Sequence, residues 1–167
     1  MHDELTEIDI RKMKEELEER LHVLRPQLLA EVKRTREYGD LSENYEYKAA
    51  KQEKNRNESR IRYLQNMIDT AVITEKGGSA TTIGLFDRVT VYLPEDEEEA
   101  VYQIVTTLRV NVLEGLISKE SPLGRALLGK KVGDTVTVRV NETYSYQAEI
   151  RAIEKGEDSA DIPINRF

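Results

Sequence analysis

The sequence has no cysteine, no tryptophan, and only two histidine and two phenylalanine residues among its 167 positions. The lack of cysteine excludes disulfide bonds, thiolate metal sites and a cysteine nucleophile, although it does not identify a cellular compartment. His2 and His22 are not accompanied by other ligand residues, so a histidine metal site is not expected. Because only 38% of the residues are apolar and 34% are charged, the chain is poorly supplied for one large globular core.

Long apolar runs and an excess of positive charge are lacking as well. The first twenty residues are dense in acids and bases, which argues against a secretory signal or a membrane span. We therefore expect a cytoplasmic protein with no membrane partner. The net charge of −7 argues against a general binder of duplex DNA.

Helical periodicity dominates the first half of the chain. Apolar residues recur at steps of three and four, the spacing of one seam of a coiled coil, and they predict a helix from about residue 8 to 38. Pro26 lies inside this pattern and should bend the helix without ending it. The seam consists of Met13, Leu17, Leu21, Leu24, Leu28 and Val32.

A second helix is predicted to start near Ser42 or Glu43 and to end before the Gly77-Gly78 pair. Between Lys51 and Arg60 it has no large apolar residue. There the seam must be closed by the alkyl stems of Lys and Arg or by polar pairs, so the middle of the hairpin should be its least stable part.

The two helices meet at a tip, residues 38–47. Gly39 suits a helix end, and Asp40 or Ser42 can cap the next helix. Asp40 and Glu43 have the spacing of a capping box, but they also display two carboxylates at the end of a long hairpin. Local sequence alone leaves both readings open.

Charge changes sign along the hairpin. Residues 3–31 carry five basic and nine acidic side chains, whereas residues 33–62 carry nine basic and six acidic ones. A basic distal half with an acidic tip suits a partner surface that carries phosphates beside a metal-binding pocket. The alternative is a solvated helical face with ion pairs.

The second half of the chain has the period of two that is typical of strands. We predict an α+β protein with a hairpin over residues 1–76, a linker over 77–82, a mostly antiparallel sheet domain over 83–156 and a tail over 157–167. The tail should be mobile unless its apolar residues dock. Strands are predicted at 86–93, 101–108, 112–117, 135–140 and 144–153, with a short helix at 121–129 that has Ser121 as N-cap and Gly129 beyond its end.

Two separate motifs resemble the Gre transcript-cleavage factors of bacterial RNA polymerase, and the GreA branch more closely than the GreB branch. The first is Gly39-Asp40-Leu41-Ser42-Glu43-Asn44 with the Glu46–Ala50 run that follows it. The second is Ile117–Gly129 followed by Gly133-Asp134, which is similar to the signature of the FKBP-like C-terminal domain of that family. The resemblance covers about residues 5 to 155.

The resemblance implies a factor that has no cofactor and no enzymatic activity of its own. Its coiled coil would enter the secondary channel of the polymerase, where Asp40 and Glu43 would help to hold a second magnesium ion of the polymerase active centre. The polymerase would then cut the 3′ end of backtracked nascent RNA. We expect a monomer. The residues expected to contact RNA or polymerase are Lys48, Lys51, Lys54, Arg56, Tyr38 and Tyr45, and those expected at the channel rim are Glu120, Ser121 and Pro122.

Other functions fit parts of the sequence. Tyr38 and Tyr45 depart from the family pattern, and they could stack on an RNA base or pack on each other. A Gre-like inhibitor of cleavage would use the same channel. An FKBP-like domain could also isomerise prolyl bonds, although fold analogy is a weak reason to expect it. A purely structural coiled-coil adaptor would have no need of the tip acids.

Overall fold

The computed structural model describes residues 3–37 and 44–166. The chain forms two compact units, one built from residues 3–9 and 72–166 and the other from residues 10–71. The first holds a mixed β-sheet and the second a helical hairpin, so the predicted α+β class is confirmed. Within the described ranges, no helix is both long and apolar enough to span a membrane.

The first arm of the hairpin is not one continuous α-helix. It consists of α1 (Glu7–Glu19), a π-helical turn (Arg20–Leu24) and α2 (Arg25–Arg36). The Arg25 amide donates to the Arg20 carbonyl, which is the wider bond of a π-helix. Pro26 has no amide hydrogen to give, so the irregular turn falls directly before it. Where the sequence predicts a bend at Pro26, the structure has a π-helical turn on the N-terminal side of the proline.

The second arm, α3, runs from Tyr45 to Thr70. It ends earlier than the sequence predicts, because Val72–Ile73 forms strand β2, which pairs in parallel with strand β1 (Glu4–Leu5). Two-residue strands lack a readable period, so this pairing was not predicted. The apolar side chains buried in this hairpin unit are Met13, Ala50, Ile61 and Leu64.

The larger sheet has five strands in the order β5-β4-β3-β7-β6. Its β3–β4, β3–β7 and β6–β7 pairs are antiparallel and its β4–β5 pair is parallel, so the sheet is mostly antiparallel, as predicted, with one parallel edge. The strands are β3 (Arg88–Leu93), β4 (Glu98–Val105), β5 (Leu116–Ser118), β6 (Thr135–Arg139) and β7 (Ser145–Glu154).

The predicted strand over 112–117 is wrong in its first half. Val112–Glu114 is a 3₁₀ turn that ends at Gly115, which has a φ of +74°. Leu113 is 98% exposed there, so its apolar character does not report burial. This turn and a second 3₁₀ turn at Thr107–Arg109 carry the chain back to the edge of β4, where β5 pairs in parallel.

The predicted short helix is present as α4 (Pro122–Leu127). The Ser121 hydroxyl accepts a hydrogen bond from the Gly124 amide at 3.0 Å, and Gly129 lies beyond the helix end with a φ of +80°. Leu123 and Leu127 are buried against the sheet. Capping chemistry and apolar spacing were therefore enough to place this helix.

The tail docks through a buried arginine. Arg109 is almost fully buried, and its guanidinium contacts Asp9 Oδ1 at 2.6 Å, Asp158 Oδ1 at 2.5 Å and the Ser159 carbonyl at 3.1 Å. Asp9 in turn exchanges hydrogen bonds with Thr6 in a capping arrangement. A buried guanidinium without carboxylate partners would be strongly unfavourable. The tail therefore supplies one of the two carboxylates that contact Arg109.

We predict that Asp158→Asn destabilises the β-sheet unit by about 1–3 kcal/mol, because Arg109 loses one of its two carboxylates. Native-state hydrogen exchange of the β7 amides measures the effect. Asp161→Asn is the matched control, since Asp161 is an exposed tail residue, and it should change stability by less than about 0.5 kcal/mol. Equal exchange rates in the two variants would contradict the role given to Asp158.

Candidate functional site

The predicted tip lies only partly inside the described ranges. Asp40, Glu43 and Tyr38 fall outside them, as do the predicted capping residues Gly39 and Ser42. The residues that flank this segment are described on both sides, and they define its attachment to the hairpin.

Asn44 joins the two ends of the hairpin. Its side-chain oxygen accepts a hydrogen bond from the Tyr47 amide at 3.0 Å, which caps α3. Its side-chain nitrogen donates to the Thr35 carbonyl at 2.6 Å, near the end of α2. The buried Thr35 hydroxyl donates back to the Glu31 carbonyl at 2.9 Å. One amide side chain thus closes the chain between residues 35 and 44, and both tip acids lie in that interval.

Sequence reasoning missed this role of Asn44. Asn is a favoured N-cap, so the signal was available, but Asp40 and Ser42 are equally good caps and came earlier in the chain. The carboxamide of Asn carries an acceptor and a donor on separate atoms, so it can accept from one helix and donate to the other. That bifunctional geometry depends on the tertiary approach of α2 and α3.

The first turn of α3 presents an aromatic ring and a cation. Tyr45 is 79% exposed, and the Lys48 ammonium lies 5.6 Å from the centre of its ring. Tyr45 therefore offers an accessible ring face at the base of the tip segment. Its predicted packing partner Tyr38 lies outside the described ranges.

The predicted basic residues of α3 do not form one stripe. Successive helix positions turn by about 100°, so Lys51 and Lys54 lie on one side, whereas Arg56 is turned by about 140° from Lys51. Arg56 also lies 3.8 Å from Glu53, and both side chains are 62% exposed. An exposed pair at that distance contributes little to stability. Lys51 and Lys54 are thus the two that one partner surface could contact together.

Polar pairs close the middle of the hairpin, which is one of the two alternatives that the sequence left open. The buried Arg60 guanidinium binds Glu16 through two hydrogen bonds, of 2.7 and 3.1 Å. Arg20 also contacts Glu16 at 2.9 Å and donates to Asn57 at 2.9 Å. The Asn57 amide returns a bond of 3.3 Å to the Arg20 carbonyl, at the start of the π-helical turn. A bidentate Arg25–Glu58 pair lies further along.

This network lowers the pKa of Glu16. Burial by itself raises the pKa of the carboxyl group, but the hydrogen bonds and charges of Arg60 and Arg20 outweigh it. Glu16 therefore stays ionised and holds two arginines where α3 contributes no large apolar residue to the seam.

The predicted rim residues surround the start of α4. Glu120 is exposed, whereas the Ser121 hydroxyl is engaged, since it donates to the Ser118 carbonyl at 2.6 Å while capping the helix. Gly124 packs so closely that a Cβ placed there would lie 2.1 Å from the Ser118 carbonyl oxygen. The local fold therefore uses Ser121, Pro122 and Gly124 to hold a tight turn, which leaves Glu120 displayed at its surface.

Among the residues that the structure describes, no group of three or more His, Asp or Glu side chains comes together in a way that could hold a metal ion. The expectation that Asp40 and Glu43 share a magnesium ion with a partner concerns residues outside the described ranges.

The two halves of the chain match two family models in succession. "Transcription elongation factor, N-terminal" matches residues 4–73, and "Transcription elongation factor, GreA/GreB, C-term" matches residues 78–155. The GreA factor of Leuconostoc mesenteroides is 41% identical over 145 residues, which cover 86% of this chain and 91% of the relative. The GreA factor of Bacillus subtilis is 43% identical over 129 residues, which cover 77% of this chain and 82% of the relative. The crystal structure of GreA factor homolog 1 (Gfh1) of Thermus thermophilus is 30% identical, with coverage of 93% and 100% and a TM-score of 0.43.

We predict that Glu16→Gln destabilises the helical hairpin by about 1–3 kcal/mol at pH 7, because two arginines lose their shared carboxylate. The folded-state pKa of Glu16 is lowered, so its charge stabilises the fold above the unfolded pKa, and that contribution is lost as the pH falls through the folded value. The difference in the free energy of unfolding between the variant and the parent should therefore become smaller below about pH 4. Urea unfolding followed at 222 nm at several pH values measures it.

Glu18→Gln is the matched control for this experiment. It makes the same change on the same helix, but Glu18 is 74% exposed and its ion-pair partner is His22 at 3.4 Å. It should change stability by less than about 0.5 kcal/mol at any of these pH values. A Glu16→Gln variant as stable as this control would show that the network contributes nothing measurable.

Proposed function

The chain belongs to the GreA/GreB family of transcription elongation factors, and on that premise we propose that it binds bacterial RNA polymerase and stimulates the polymerase's own cleavage of backtracked RNA. The hairpin enters the secondary channel, and the factor acts as a cytoplasmic monomer. The observation that carries this proposal is the Asn44 tie, because it closes the chain on either side of Asp40 and Glu43. Two carboxylates in a short closed segment are suited to delivery into a narrow site.

The chemistry of a two-carboxylate tip explains why the factor would depend on its partner. Magnesium demands about six oxygen ligands in an octahedron, so Asp40 and Glu43 alone cannot complete a site. Carboxylates of the polymerase and an RNA phosphate would supply the rest. The pair would then steady the second ion of a two-metal hydrolysis and orient the attacking water. The chain itself would not be an enzyme.

Binding and catalysis would be divided between the two units. Glu120 is exposed on a turn that Ser121 and Pro122 hold rigidly, which suits a fixed contact with the channel rim. Lys51 and Lys54 share one side of α3, where they would meet phosphates of the backtracked RNA or acidic groups of the channel. Tyr45 would offer its exposed ring to an unpaired base.

We predict that Asp40→Asn combined with Glu43→Gln lowers transcript cleavage by about 100-fold or more while leaving polymerase affinity unchanged, because charge is lost but hydrogen-bond acceptors remain. High magnesium should restore part of the activity. The assay scores short RNA released from the 3′ end of stalled, backtracked complexes. Glu114→Gln with Asp161→Asn removes two exposed charges elsewhere and should cleave like the parent.

Full cleavage activity of the tip double variant would show that Asp40 and Glu43 act only as helix-capping residues. A parent protein that slows the intrinsic cleavage of the polymerase would instead identify an inhibitor that uses the same channel. Both outcomes are read from the same gel, and each would overturn the proposed stimulation.

We also predict that Lys51→Gln with Lys54→Gln weakens binding to backtracked complexes and lowers the slope of log affinity against log salt by about 1–2, as expected for lost phosphate contacts. Competition binding at several salt concentrations measures it. Arg56→Gln is the internal comparison, since Arg56 points to another side of α3. If the lysine pair and Arg56→Gln behave alike, the lysines belong to a solvated face only.

A further inference from the structure

A small cleft opens at one end of the five-stranded sheet, away from the start of α4. Its volume is about 200 Å³. The cleft combines two aromatic rings with two carboxylates, and nothing in the proposed function uses it. The lining residues are Leu93, Glu95, Asp96, Tyr144, Tyr146 and Gln147.

Strand alternation builds the aromatic wall. Every second side chain of a strand lies on the same face of the sheet. Tyr146 of β7, and Tyr144 just before it, therefore lie on the same face as the buried core residues Ala148 and Ile150. The two ring centres are 6.1 Å apart, and the rings are tilted by 37°. Tyr146 is half-buried against the core, whereas Tyr144 is 51% exposed. Tyr146 is therefore held by packing against the core, whereas the Tyr144 ring is accessible from solvent.

The tyrosine side of the cleft is uncharged. Burial raises the pKa of Tyr146, and the neighbouring Tyr102 and Tyr144 raise it further, so its hydroxyl stays protonated at neutral pH. All of the charge on the cleft lining therefore comes from Glu95 and Asp96.

The acidic side belongs to the turn between β3 and β4. This turn and the start of β4 carry five consecutive acids, Glu95 to Glu99. Glu99 forms an ion pair with Arg151 at 3.8 Å. Among residues 3–37 and 44–166, no basic side chain forms an ion pair with Glu95 or Asp96. Two carboxylates thus face an aromatic wall without a cation of their own.

We propose that this cleft binds an arginine side chain presented by a basic segment of a partner protein. A guanidinium is flat, so it stacks on a tyrosine ring, and its edge donates two hydrogen bonds to a carboxylate. Five adjacent acids complement a basic segment and repel the phosphates of nucleic acid. A volume of about 200 Å³ accommodates one side chain of this size, whereas drug-sized ligands occupy clefts of about 300 Å³ or more.

The opposite face of the same sheet already contains this arrangement. The Arg151 guanidinium lies 4.5 Å from the centre of the Tyr92 ring and contacts Glu149 at 3.4 Å. There the chain supplies its own arginine to one tyrosine and one carboxylate. The cleft repeats the tyrosine and the carboxylates, and the partner would supply the arginine. The proposal rests on no part of the tip or the rim.

NMR of the 167-residue chain with ring-labelled tyrosine tests the proposal. The probe is the tripeptide acetyl-Gly-Arg-Gly-amide, and the control probe has neutral citrulline in place of arginine. We expect saturable shifts of the Tyr144 and Tyr146 ring signals with the arginine peptide only, at a dissociation constant of about 1–10 mM. About 0.5 M salt should weaken the binding, because the carboxylates are partly exposed.

Variants separate the cleft from general charge attraction. Glu95→Gln with Asp96→Asn should weaken binding by about fivefold or more, and Tyr144→Ala by a similar factor. Glu114→Gln with Asp161→Asn removes the same amount of charge elsewhere and should bind like the parent. The amide spectrum of each variant verifies its fold. No ring shift with the arginine peptide, equal shifts with citrulline, or equal weakening in the charge control would each overturn the proposal.

Discussion

Buried charge that must be neutralised is the constraint on which this structure depends. With 34% charged residues and no tryptophan, the chain cannot exclude every charge from its interior. It encloses Arg60 with Glu16 in the hairpin and Arg109 with Asp9 and Asp158 in the β-sheet unit. A buried ion pair adds little net stability compared with apolar packing, but removing one partner is costly. Such pairs therefore select one register and one arrangement of segments more than they stabilise the fold.

The same constraint explains how a hairpin with a polar middle keeps its helices aligned. An apolar seam tolerates sliding by one turn because its residues are interchangeable, whereas a fork between Arg60 and Glu16 has one geometry. Asn44 gives a second fixed point, since its amide satisfies α2 and α3 together. Both fixed points belong to the hairpin unit, and the second one adjoins the tip segment. The Asn44–Thr35 bond joins residues only nine positions apart, and it flanks the segment that would carry the proposed chemistry.

Features with a local cause were predictable from the sequence, and features with a tertiary cause were not. The apolar seam, the capped helix α4 and most strands follow from periodicity and capping residues. The β1–β2 pair joins two-residue segments that are 68 positions apart, where no period exists. Val112 and Leu113 resemble a strand by composition, yet they form an exposed turn, because apolar residues need not be buried. At the candidate site, the residue types could be identified from the sequence, but the double role of Asn44 and the pairing of Arg56 with Glu53 required the structure.

The two acidic segments of this chain differ in their neighbours, and the neighbours decide what each can bind. Asp40 and Glu43 are followed along α3 by exposed cations, including Lys48 and Lys51. Carboxylates beside cations suit a site where a metal ion and a phosphate arrive together, because each charge on the ligand meets its opposite. Glu95 and Asp96 face neutral tyrosine rings. Carboxylates beside rings favour a flat organic cation, since the rings offer a face on which it can stack. Under the two proposals, carboxylates would thus support two kinds of recognition in one protein.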